Sequence, residues 1–222
     1  MDQLSFFSAG VAEPTVEDLG GLLAGPGQFT LGAAGAVEAR LSVLLAQQWR
    51  AEAIVQEFLR RGIDAESRPA DPQEIRSPPE DPEPVAPQDG TPREGTRTGP
   101  LYLVRSVPSA VLAPLVGSWT KGSVKQVPTL PTPPGGFLRC WALASGRPDP
   151  AGYLLGLDPR AEHVHTRLAS ALSAAGLTGV LLGSRAGGPA VRIVGRRRLE
   201  RLAELLGDPP PGAPADAFPP GR

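Results

Sequence analysis

Three proline-rich breaks divide the chain, and the periodic stretches between them repeat one order of elements, so the fold must be one that can be built twice. Residues 67–99 contain eight prolines and eleven charged side chains with hardly any aliphatic content. Such a segment cannot bury enough surface to offset its ordering entropy, and it reads as a disordered insertion. Residues 128–136 contain four prolines and read as a linker. The tail, residues 208–222, with prolines at 209–211 and 219–220, reads as disordered or in polyproline II.

The first repeat then spans residues 1–127 and the second residues 137–207. In the first, residues 17–24 form a short small-residue helix, and 28–31 and 39–45 alternate as a hairpin. Trp49, Ala53, Val55, Phe58 and Leu59 follow helical spacing until Gly62 stops them. Residues 63–67 and 102–105 alternate as strands on either side of the insertion, and Val111, Leu112, Leu115 and Val116 return to helical spacing. The order is αββαββα. The second repeat follows it with a small-residue helix at 137–145, a strand at 152–157, a helix at 162–175 ended by Gly176, and strands at 179–184 and 190–194. A basic amphipathic helix at 196–206 closes it, with Leu199, Leu202, Ala203 and Leu206 on the apolar stripe. The pattern predicts an α+β, pseudo-twofold monomer.

The net charge of −1 is a cancellation. Residues 1–66 carry −5 and the insertion −3, while residues 100–207 carry +8. A basic half points to a polyanionic partner, because clustered Lys and Arg that neutralise phosphates release counterions. No run of 18 apolar residues is present, which excludes a helical membrane span. Cys140 is the only cysteine, so one chain can form neither an internal disulfide nor a cysteine-based zinc site. The opening Met1-Asp2-Gln3-Leu4-Ser5-Phe6-Phe7 has no basic region and no long apolar stretch, so a cytoplasmic protein is expected. Gly, Ala, Arg and Pro bias suggests a GC-rich, actinobacterial genome.

Leu19-Gly20-Gly21-Leu22-Leu23-Ala24-Gly25-Pro26-Gly27, followed by Gln28-Phe29-Thr30-Leu31, resembles the LAGLIDADG motif and its following strand. Phe137 followed by Leu138-Arg139-Cys140-Trp141-Ala142-Leu143-Ala144-Ser145-Gly146 resembles a second copy. Ala39-Arg40-Leu41-Ser42-Val43, Leu101-Tyr102-Leu103-Val104-Arg105-Ser106 and Val191-Arg192-Ile193-Val194-Gly195-Arg196 are similar to strands of the same homing endonuclease-like family. The resemblance covers roughly 190 residues, all but the insertion and tail. It implies two αββαββα repeats joined in an antiparallel saddle over duplex DNA. Small residues at i and i+4 let two motif helices approach, and here these seam residues are Gly21 and Gly25 in one helix and Cys140 and Ala144 in the other.

In active members each motif helix ends in an acid at its eighth letter, and the two carboxylates hold metal ions for phosphodiester hydrolysis. Here the eighth letters are Pro26 and Ser145, and the sixth letters, Ala24 and Leu143, supply no carboxylate. The expectation is therefore a protein with no catalytic residues, no metal site and no cofactor, closest to the non-cleaving WhiA-type sporulation regulators of actinobacteria. Arg40, Arg105, Arg185 and Arg192 on strands, Lys121 and Lys125 before the linker, Arg147 after the second motif helix, and Arg196 at the head of the last helix are the expected phosphate contacts. An ordinary solvated or ion-paired surface is the competing reading of each.

Remaining features read as structural. His163 and His165, two apart on a helix, face different ways and make no metal pair. Cys140 has no neighbouring histidine to activate it, and Trp49, Trp119 and Trp141 read as core. Two other functions stay open. A protein-interaction or assembly factor would use the acidic half, the insertion or the tail, and a residual nuclease or maturase would use Asp149.

Overall fold

Alternation and small-residue spacing produce the same seven elements twice in the computed structural model, which describes residues 13–31, 38–71, 99–122, 124–183 and 188–221. In the first repeat a 3-10 turn, Val16–Leu19, runs into α1 (Gly20–Ala24). There follow β1 (Gln28–Leu31), β2 (Ala39–Leu45), α2 (Gln48–Leu59), β3 (Ala65–Pro69), β4 (Tyr102–Ser106) and α3 (Ala113–Ser118). A small hairpin of β5 (Thr120–Lys121) and β6 (Val124–Lys125) leads to the second repeat. That repeat comprises α4 (Gly135–Ser145), β7 (Gly146–Asp149), β8 (Gly152–Gly156), α5 (His165–Ala174), β9 (Gly179–Leu182), β10 (Ala190–Ile193) and α6 (Arg196–Leu206). Gly62 and Gly176, at φ +69° and +77°, follow α2 and α5 and supply the left-handed residue that stops each helix.

Each repeat folds into a four-stranded antiparallel sheet with the same strand order, β1-β2-β4-β3 and β7-β8-β10-β9. The period of two decides the faces. Ala39, Leu41, Val43 and Leu45 of β2 point into the core, while Arg40, Ser42 and Leu44 point the other way. α2 lies over β2, β3 and β4 and reaches α4, and α6 also packs on α4. One continuous apolar core runs through both repeats, from Leu19 through Trp119, Phe137 and Trp141 to Leu206.

The repeats meet where α1 and α4 run side by side in the same direction. A Cβ on Gly21 would lie 2.0 Å from the Phe137 carbonyl oxygen and 3.0 Å from the Cys140 Cβ. One turn on, a Cβ on Gly25 would lie 2.9 Å from Ser145 Oγ and 3.4 Å from the Ala144 Cβ. Trp119 closes over Gly20 and stacks on Phe137 with ring centroids 6.1 Å apart. Burial pushes the Cys140 thiol up to about 12, which leaves it an inert packing residue.

A buried ionic chain holds the N-terminal end of this seam. Arg61 reaches Asp18 and Glu57 at 2.8 Å each, and Arg139 of α4 reaches the other Glu57 oxygen at 2.9 Å. Burial works to raise the Glu57 carboxyl, but hydrogen bonds from Arg61 and Arg139 overcome it and hold its pKa below the usual value.

Four sequence expectations need correction. The tail is not disordered: Pro210, Ala217, Phe218 and Pro219 are buried, Tyr153 donates its hydroxyl to the Ala217 carbonyl, and the Arg139 guanidinium lies 5.7 Å from the Phe218 ring centre. Prolines lose little entropy on ordering, so one aromatic anchor suffices to hold them down. The insertion begins later than expected as well, because its first three residues, 67–69, belong to β3, which ends on Pro69, whose missing N–H is tolerated on an edge strand. The rest of it, residues 72–98, lies outside the described residues. β7 was not read as a strand, because Arg147-Pro148-Asp149-Pro150 looks like a turn, yet it too is an edge. Finally, residues 135 and 136 are the first turn of α4, not linker.

Two measurements check this architecture. Gly21→Ala should cost about 3 kcal/mol or more in a urea melt, because the added carbon would meet the Phe137 carbonyl oxygen at 2.0 Å and the Trp141 amide nitrogen at 2.7 Å, both backbone atoms. Glu57→Gln should cost about 3 kcal/mol at neutral pH. A carboxyl with a lowered native pKa stabilises fully above its unfolded value, so the gap between wild type and variant should hold above about pH 5. It should shrink as pH falls through about 4 and below.

Candidate nucleic-acid interface

The sheet faces turned away from the helices carry the strand arginines, and register shows which of them are neighbours. In the first sheet Arg40 sits opposite Thr30, and Ser42 sits opposite both Gln28 and Arg105. Arg105 also faces Glu66, and Arg68 faces Leu103. In the second sheet Leu154 of β8 lies between Arg147 of β7 and Arg192 of β10, and Arg192 faces Val180. Leu154 is only 4% exposed although it is on this uncovered face, as expected when long arginine stems lie over a leucine. Arg192 is held by Asp149 at 3.2 Å. Each sheet thus carries two arginines on its uncovered face, and Lys121 on β5 is exposed as well.

Two of the eight expected contacts stand elsewhere, and a third cannot be placed. Arg185 lies outside the described residues. Arg196 is on α6, which packs against α4 on the helical side, and it pairs with Glu200 at 2.8 Å instead of joining the strand arginines. Lys125 is a correction of a different kind. It is 8% exposed, and its ammonium donates to the carbonyls of Leu23 (3.1 Å) and Gly27 (3.0 Å), lies 3.5 Å from that of Gly25, and pairs with the Asp158 carboxylate. Burial pulls its pKa below the usual lysine value, opposed by Asp158. The local sequence Thr120-Lys121-Gly122-Ser123-Val124-Lys125 gives no sign of this, because both lysines sit in strands of a hairpin and only tertiary packing separates them.

Sequence reasoning missed Arg50 altogether. It is 5% exposed at the head of α2, and it donates to the carbonyls of Ala142 (2.7 Å), Leu143 (2.9 Å) and Gly146 at the end of α4. Gln47 accepts from its Nε, and the Trp49 ring lies 4.5 Å away. Burial lowers its pKa, with Tyr153 acting in the opposite sense. Each motif helix therefore ends on a buried cation of the protein itself. In the motif, Leu23 and Gly27 hold the same places as Ala142 and Gly146, so the two caps bind equivalent carbonyls. Cations favour helix C-termini, where unpaired carbonyls concentrate negative potential. Ser145, beside this point, gives its hydroxyl to the carbonyl of Gly156 at 2.8 Å.

No family model matches the sequence, and no curated protein does. Among solved structures the chain is similar to the homing endonuclease I-WcaI, determined bound to its DNA recognition sequence. The TM-score is 0.56 over 88% of this chain and 81% of that one, at 12% identity. The chain has a homing-endonuclease-like fold. Within that fold no helix among the described residues is long and apolar enough to cross a membrane. No three of His, Cys, Asp and Glu gather there as a metal site either.

If Lys125 is a helix cap and not a surface charge, Lys125→Ala should destabilise the protein by about 3–5 kcal/mol in denaturant, since it strands a buried carboxylate. Lys125→Met combined with Asp158→Leu should recover most of that loss.

Proposed function

We propose that this protein binds nucleic acid, duplex DNA before RNA, through phosphate contacts on the uncovered faces of its two sheets, and that it does not cleave what it binds. The carrying observation is the placement of Arg40 and Arg105 on the uncovered face of one sheet and of Arg147 and Arg192 on that of the other, within a fold built from two like repeats. The DNA-bound state of the similar endonuclease supports this choice of partner. Such contacts give affinity and register more than sequence reading.

The non-cleaving part rests on the helix ends. A divalent ion there would need oxygen ligands carrying negative charge. Pro26 has none, Ser145 spends its hydroxyl on Gly156, and the helix-end carbonyls already accept from Lys125 and Arg50. The residues present do not fit a metal. Of the acids nearby, Asp158 is paired with Lys125, and Asp149, three residues along β7, is paired with Arg192. A protein that occupies duplex DNA without cutting it acts by occupancy, which is the chemistry of a regulator.

Anisotropy with a labelled duplex of about 20 base pairs should give a dissociation constant near micromolar at low salt, with a log–log salt slope of about −4 for four phosphate contacts. Arg105→Ala with Arg192→Ala should reduce that slope by about two. No binding, or binding without a slope, overturns the reading. Supercoiled plasmid incubated with magnesium or manganese should stay intact, and nicking abolished by Asp149→Asn would overturn the non-cleaving part.

A further inference from the structure

The two sheets share one strand order, and register aligns them residue by residue. In the first, Gln28 of β1, Ser42 of β2, Arg105 of β4 and Glu66 of β3 form one cross-strand row. In the second, Arg147 of β7, Leu154 of β8, Arg192 of β10 and Val180 of β9 form another. Gln28 follows Gly27 and Arg147 follows Gly146, the same letter of the motif, so the two rows are equivalent member by member. Only the arginine in the third place, Arg105 or Arg192, is common to both.

Both rows lie on the uncovered faces, yet their chemistry diverges. The second carries two cations and two apolar side chains, a net +2. The first carries an amide, a hydroxyl, a guanidinium and a carboxylate, a net charge of 0. The contrast extends along the strands: β7, β8, β9 and β10 contain no Ser, Thr, Asn or Gln, whereas β1 adds Thr30 to Gln28 on the same face. Gln28 and Glu66 are exposed. A surface built only to hold phosphate does best with cations, and a carboxylate works against it. The first row instead matches base edges. A glutamine amide pairs with N6 and N7 of adenine, a carboxylate accepts from N4 of cytosine, and a hydroxyl serves either.

We infer that this protein reads base sequence in one half of its duplex only: the first sheet discriminates through Gln28, Ser42 and Glu66, and the second grips the backbone without reading. This rests on the nucleic-acid reading above and deepens it by naming the residues that set specificity. Duplex DNA is the substrate it requires, because the deep, narrow major groove of an RNA helix hides its base edges from side chains.

The test uses the full chain and a pool of randomised duplexes of about 20 base pairs, followed by anisotropy on the selected sequence and its single-base variants. Wild type should select one short block of fixed bases on one side of the site, with free choice on the other side. A wrong base inside the block should weaken binding by about 5- to 100-fold. Gln28→Ala and Glu66→Ala should each cut that penalty to about twofold at one position of the block, with an unchanged melting temperature. Glu66→Ala should also bind unselected duplex more tightly, because a negative charge has left the face. Arg192→Ala, the control from the second sheet, should lower the magnitude of the salt slope by about one and leave the selected block as it was. Binding with no fixed block, or with a block on each side, overturns the one-sided reading and leaves nucleic-acid binding standing. A block that both Gln28→Ala and Glu66→Ala leave intact overturns it too. A wild-type protein that binds no duplex overturns both readings together.

Discussion

Everything in this molecule hangs on the near-contact of two helix backbones. At Gly21 even one added carbon would sit inside the van der Waals radius of the Phe137 carbonyl oxygen, so α1 and α4 pack with no side chain between them at that turn. That proximity makes one core out of two repeats. It also leaves the helix ends adjacent, with Gly25 against Ser145. Aromatic residues close the seam at Trp119, Phe137 and Trp141, and the Asp18–Arg61–Glu57–Arg139 chain ties its N-terminal end.

Two adjacent helix C-termini concentrate negative potential, and some cation must answer it. Here Lys125 and Arg50 do so from within the chain, Arg50 crossing to the other repeat, and each is bonded to equivalent motif carbonyls. The same two residues that complete the fold occupy the carbonyls at both motif-helix ends.

Much of this was legible from local patterns. The doubled αββαββα order, the strand faces of Arg40 and Arg105, and the small residues of the motif follow from periodicities of two and about four, which are local properties. β7 and the tail were not, because proline-rich strings such as Arg147-Pro148-Asp149-Pro150 and the run from Pro209 have no apolar period, and only an edge position or a distant anchor such as Phe218 orders them. Charge was the most misleading quantity. The acidic excess of the first stretch includes Asp18 and Glu57, and the basic excess of the second includes Lys125 and Arg139, yet all four are engaged in interior or partly buried pairs and project little onto the surface.

Sequence by itself determined that the chain folds twice, that its motif helices can approach closely, and that the acids of the cleaving motif are missing. Those are statements about which atoms exist and how often they recur. Tertiary structure alone decided which cations face solvent. Lys121 and Lys125 are four residues apart in one hairpin, yet one is exposed and the other buried against carbonyls. The physical reason is that a buried charge is set by the carbonyls that tertiary packing brings to it, 92 residues away for Arg50 and 102 for Lys125, and no local pattern carries that information.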